Sequence, residues 1–176
     1  ISFDDLKSDD IVIIPAFGTT IEIENQLKEK GIQLQKYNTT CPFVEKVWNR
    51  AEQIAARGYS IVVHGKPTHE ETRATFSHSE EHTPTLVIND ISEAKILGEF
   101  ILGNREELDF YQFFKGRYSD GFDLNRDLAK FGVVNQTTML ATDTQEIADY
   151  LKEIVIKKYS LDASNIAERF ADTRDT

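Results

Sequence analysis

Apolar and polar residues alternate along this chain in two rhythms. The stretch Ile11-Val12-Ile13-Ile14 is a continuous β-branched run, the pattern of a strand buried on both faces. Residues 32–37, 59–63, 85–88 and 131–135 read as further strands. Between them the spacing changes to threes and fours. From Pro42 to Arg57 the apolar positions Phe43, Val44, Val47, Trp48, Ala51, Ile54 and Ala55 make one helical face, and Gly58 is a good stop. Residues 20–30, 92–101 and 144–158 read as helices in the same way. Residues 103–128 are the least regular part, helical with a loop. Their aromatics Phe110, Tyr111, Phe113 and Phe114 suit a satellite core or a subunit contact better than a ligand site. Strands alternating with helices predict an α/β fold with a parallel sheet.

Ligands of parallel α/β sheets bind at the carboxyl ends of strands, where the next helix begins. Polar residues concentrate at four such junctions: Phe17-Gly18-Thr19-Thr20; Thr39-Thr40-Cys41; the run from His64 to Thr75; and Asn135-Gln136-Thr137-Thr138. Cys41 is the only cysteine. With Pro42 at the first helical position, its thiol faces unpaired N–H groups and the positive end of the helix dipole, which favour a thiolate. The alternative is a buried, inert thiol. His69 and Glu71, two positions apart, converge on one ligand only if His69 belongs to the loop or first turn; otherwise Glu70 and Glu71 are ordinary first-turn carboxylates and His69 lies on the surface. Thr138 or Thr142 could simply cap the following helix. His78 and His82 fall in an acidic stretch and read as solvated loop residues. A hydrolase pairing Cys41 with His64 or His69 would need an oxyanion hole that is not identifiable.

Bulk properties narrow the classes. The 176 residues are 40% apolar and 28% charged, ordinary for a globular protein, with a net charge of −10. That charge makes nucleic acid and anionic membrane poor partners. One cysteine excludes an internal disulfide framework and fits a reducing, cytoplasmic compartment. The chain begins at Ile1 and closes without a terminal signal, so both ends are expected to be cuts in something longer.

Thr39-Thr40-Cys41-Pro42, Val44-x-Lys46-Val47, His69-x-Glu71 with Thr75, and Gln136-Thr137-Thr138 together resemble the 4-hydroxy-3-methylbut-2-enyl diphosphate reductases, most closely the plant and cyanobacterial branch. The resemblance implies a fragment of three similar α/β domains in a pseudo-threefold arrangement. Residues 1–40 would be the C-terminal part of the first domain and 41–176 the middle one. It also implies a [4Fe–4S] cluster held by three cysteines, of which Cys41 matches one. His69 would bind the substrate diphosphate, Glu71 would deliver protons to the allylic hydroxyl, and Thr137, with Thr138, would lie beside the substrate. The reaction is a reductive dehydroxylation giving isopentenyl and dimethylallyl diphosphates, with electrons from ferredoxin or flavodoxin. Phe17 departs from the histidine of many bacterial members and cannot bond phosphate. With one thiolate, this fragment alone is expected to hold no cluster and to be inactive. Surfaces meeting the missing domains would be exposed, and self-association is a possible consequence. The rival reading is a self-contained cytosolic module that binds a phosphorylated ligand without redox chemistry.

Overall fold

The computed structural model describes residues 2–171, so residues 172–176 of the expected second domain lie outside it. Its centre is a four-stranded, all-parallel sheet of β1 (Ser60–His64), β2 (Thr85–Ile88), β3 (Phe131–Asn135) and β4 (Phe170–Ala171), in the order β2-β1-β3-β4. β1 pairs Val62 with Leu86 on one side and with Val133 on the other. The helices are α1 (Ile21–Glu29), α2 (Pro42–Ala55), α3 (Glu70–Glu80), α4 (Ile91–Leu102), α5 (Glu107–Phe113), α6 (Leu124–Asp127) and α7 (Ala141–Tyr159).

Alternation along β1 explains the layers. Ile61 and Val63 join Ala51 and Ile54 of α2, and Val87 and Val134, in one apolar cluster. Val62 faces the other way, into a larger cluster with Leu97 and Ile101 of α4 and Ile147, Leu151 and Val155 of α7. Both faces of the sheet are therefore covered, which is why its strands read as unbroken apolar runs. β1 connects to β2 on one side, and the chain then returns to add β3 on the other. The direction of winding thus reverses at the carboxyl ends of β1 and β3, the place where such sheets open a crevice.

The irregular segment is part of the main core and not a satellite. Phe110 and Phe114 are fully buried in the larger cluster with Phe100, Phe122 and Leu128, and Phe100 meets Phe110 edge-to-face at 5.6 Å. The same segment shields the outer edge of β2, because Val87 N–H donates to the Arg117 carbonyl and Ser119 N–H to that of Thr85.

The two N-terminal strands expected at 11–14 and 32–37 are not formed. Among the described residues one parallel bridge, Ile14 to Asn38, is the only strand pairing these segments make, and Gln35–Tyr37 is a 3-10 turn. Ile14 is 3% exposed, but Ile11 and Ile13 are 65% and 64% exposed, so the run is covered on one face only. A strand buried on both faces needs neighbours on each side, and among the described residues there is a single bridging partner. Ile14, Leu27, Ile32 and Leu34 instead make a small apolar cluster of their own under α1.

Candidate functional site

The strand ends and the helix starts after them are tied together by Gln136. This side chain is buried just past β3. Its Oε1 accepts from the Lys66 N–H (3.1 Å) and from the Thr72 hydroxyl (2.9 Å), while its Nε2 donates to Thr138 Oγ1 (2.5 Å). One amide so joins the loop after β1, the first turn of α3 and the loop after β3. Gly65 is required beneath it: a Cβ there would stand 2.5 Å from Thr72 Oγ1.

His69 is the N-cap of α3, and its Nδ1 accepts from the Glu71 N–H at 3.1 Å. This satisfies one orphan donor of the helix and leaves Nε2 as the N–H donor of the ring. The condition for His69 and Glu71 to act together, that His69 stand at the helix entry, is met. Glu70 is the ordinary first-turn carboxylate, exposed and paired with Arg73 at 3.0 Å. Glu71 is different: 4% exposed, with Oε1 accepting the Thr137 N–H at 2.5 Å. Neither Thr138 nor Thr142 caps α7, whose N-cap is Leu140 with no side-chain bond.

Cys41 is the N-cap of α2, as the Pro42 signal indicates, and is partly exposed. Its N–H donates to the Ala16 carbonyl at 2.8 Å. Cys41 and Thr137 line one cleft of about 390 Å³, together with Lys46, Arg50 and Asn135. A larger groove of about 620 Å³ lies between α1 and α3, but its walls carry Glu22, Glu29, Glu80 and Glu81 against Arg73 and Arg117, both already paired with Glu70 and Glu93, and it contains neither Cys41 nor Thr137. Its negative field suits a phosphorylated ligand poorly, so the smaller cleft at the strand ends is the better candidate.

Two histidines lie elsewhere. His64, on the α7 side of the sheet, shares a 2.8 Å hydrogen bond with Thr144 Oγ1. Burial pushes its pKa down, against the opposing pull of Asp143, the Asn89 carbonyl and Asp90. It is thus committed away from Cys41. His78 is not a solvated loop residue. It sits in α3, half-buried and stacked on Trp48 with ring centroids 3.6 Å apart. Burial lowers its pKa, while Glu24 and the Thr19 carbonyl oppose that shift. His82 is exposed beyond α3, as expected. The Trp48–His78 contact had no signal in the spacing, because it joins two helices. Asn135 belongs to one of the polar junctions and Lys46 to a family-like motif, whereas nothing in the sequence marks Arg50 as a cleft residue. Lys46 and Arg50, four residues apart on α2, share one helical face, and that face points at the cleft only because α2 lies over β3.

Sequence comparison then fixes the family. A profile of the LytB protein family matches residues 1–169. The chain belongs to that family. This LytB chain is 41% identical over 157 residues to the 4-hydroxy-3-methylbut-2-enyl diphosphate reductase of Synechococcus sp. (strain RCC307), covering 89% of this chain and 37% of that protein. It is 40% identical over 164 residues to the reductase of the same name from Gloeothece citriformis (strain PCC 7424), covering 93% and 40%. The LytB chain therefore spans about two fifths of the length of these relatives. Its fold is similar to that of a solved (E)-4-hydroxy-3-methyl-but-2-enyl diphosphate reductase, with a TM-score of 0.60 at 22% identity over 86% of this chain and 44% of the other. The Plasmodium falciparum E-1-hydroxy-2-methyl-but-2-enyl-4-diphosphate reductase gives the same score and identity over 86% and 38%. No helix among the described residues is long and apolar enough to cross a membrane.

Proposed function

We propose that this chain forms part of the active site of a 4-hydroxy-3-methylbut-2-enyl diphosphate reductase of the isoprenoid pathway. The observation that carries the reading is the sharing of one cleft by Cys41 and Thr137, with the buried Glu71 carboxylate bonded to the Thr137 N–H. The donor set fits one corner of an iron–sulfur site. Cys41 is a partly exposed soft ligand at a helix N-terminus, and the described residues hold no group of three or more His, Cys, Asp or Glu side chains that could bind a metal ion. A [4Fe–4S] cluster bound by Cys41 and by ligands from the rest of a longer protein would supply the electrons, received from ferredoxin or flavodoxin.

The chain's own residues do the remaining work. The reaction consumes two electrons and two protons, breaks the allylic C–O bond and releases water, leaving a C–H bond in its place. His69 Nε2–H is the donor for the diphosphate. Glu71 Oε1 is held by the Thr137 N–H, which orients Oε2 to pass a proton to the departing hydroxyl. Thr137 and Thr138 offer hydroxyls beside it. Residues 1–40, with their separate apolar cluster, belong to a neighbouring domain of the whole enzyme, and residues 41–176 to the middle one. Turnover is a property of that whole, cytoplasmic enzyme, and the 176-residue chain alone is inactive.

The test is Glu71→Gln in the full-length enzyme. Cluster absorbance should be retained while turnover falls by about 10²–10⁴, the usual contribution of a general acid. Near-normal turnover would remove Glu71 as the proton donor. Cys41→Ser should lose the absorbance itself; a phosphate-binding module without redox chemistry would show no such absorbance in either form.

A further inference from the structure

Cys41 and Glu71 stand on different helices, and one side chain of the first helix both stacks on and hydrogen-bonds to the second. The Trp48 indole leaves α2 two turns after Cys41. One face of it lies flat on the His78 ring of α3, the planes 11° apart, and its Nε1–H donates to Thr75 Oγ1 at 3.1 Å. At its edge sits Gly18, where an added Cβ would fall 2.4 Å from Cη2 and 2.6 Å from Cζ2. Gly18 closes the turn that begins at Pro15, its N–H donating to the Pro15 carbonyl at 2.9 Å. The same turn offers the Ala16 carbonyl to the Cys41 N–H. His78 is fixed in turn by the Thr19 carbonyl, 3.2 Å from Nε2, with Glu24 Oε1 3.7 Å away.

We infer that Trp48 and His78 are positioning residues: stacked together, they press the turn of residues 15–18 into place and so set Cys41 in register with the helix that carries Glu71. The inference rests on the reading of Cys41 and Glu71 as working residues, but the geometry it describes does not depend on turnover. Glu71 has its own anchor to the loop after β3, through the Thr137 N–H. Cys41 is held from one side by α2, which it begins, and from the other by the Ala16 carbonyl. Only the second of these depends on the stack. Loosening the indole should therefore free the Cys41 turn and leave Glu71 where it is.

Amide hydrogen exchange on the full 176-residue chain reads this directly. Trp48→Ala should speed exchange of the Cys41 N–H about tenfold, while Thr137, Val62 and Val133 stay within about twofold of the unaltered chain. Trp48→Phe, which keeps a ring on His78, should restore slow exchange at Cys41. If Trp48→Ala does not fold, His78→Ala removes only the stacking partner and carries the same expectation. The inference is overturned if Cys41 exchange in a folded variant is unchanged, or if all four amides accelerate together, as a purely structural tryptophan would require. Because neither cluster nor substrate is involved, a negative result leaves the proposed reductase chemistry standing. An active Glu71→Gln enzyme would overturn that chemistry and leave the clamp intact.

Discussion

Residues 2–40 and residues 41–171 are built from the same kinds of segments, a β-branched run, a helix and a second extended run, yet only the second region forms a sheet. Ile61-Val62-Val63 in β1 is hydrogen-bonded on both edges and buried on both faces. Ile11-Val12-Ile13-Ile14 has one bridge and turns Ile11 and Ile13 outward. The difference lies in neighbours and not in propensity. A β-branched run gains its stability from cross-strand and face contacts, and where those are absent it stays an extended segment over a small cluster.

That contrast predicts a graded set of mutational effects. Phe110→Ala, in the larger cluster and touching Phe100, Phe114 and Phe122, should cost about 3–5 kcal/mol in urea unfolding of this chain. A cost below about 1 kcal/mol would mean that the aromatic segment is not core. Gly18→Ala comes next, at about 1–3 kcal/mol, because φ there is +76° and the methyl group meets the indole of Trp48. An unchanged melting temperature would show that the turn and indole are not in contact.

A smaller effect comes from acid. His64, in the sheet unit, and His78, where the two regions meet, both have folded pKa values below the usual 6.5. The unfolded chain therefore binds protons first. The stability tied to each neutral ring is complete above about pH 6.5 and is lost as pH falls from there through the depressed folded value. Unfolding midpoints measured at about pH 7.5 and about pH 5.5 should differ less for His64→Gln and His78→Gln than for the unaltered chain. A steeper acid loss in either variant would reverse the assigned direction. The smallest effect belongs to Ile13→Ser. On a side chain facing solvent it should stay within about 0.5 kcal/mol, and a larger loss would mean that the N-terminal run is paired in solution.

Much of the architecture was legible because local signals and tertiary demands agreed. Pro42 after Cys41, the three-and-four spacing through Ile54 and the glycine at 58 mark α2 to within a few residues, and Thr85–Ile88 coincides with β2. What escaped depends on distant partners. β4 is two residues long and exists only because Phe131 and Gly132 are beside it. His78 looked like a polar loop residue because its partner, Trp48, lies on another helix. At the candidate site, His69 and Glu71 stood out by their place in a polar strand-to-helix junction and by likeness to a family. The linking role of Gln136 did not, since an amide reveals nothing until its three partners converge.

The strand order has a consequence for the chain as it is made. β1 is central, but its second neighbour arrives only with residues 131–135. At about 5–20 residues per second, the ribosome leaves the Ile61-Val62-Val63 edge open for several seconds, an apolar ribbon beside which another nascent chain could pair. Until residues 136 and 137 emerge, Glu71 lacks the amide that holds its carboxylate. Translation speed between β2 and β3 therefore governs how long this protein is vulnerable to misassembly.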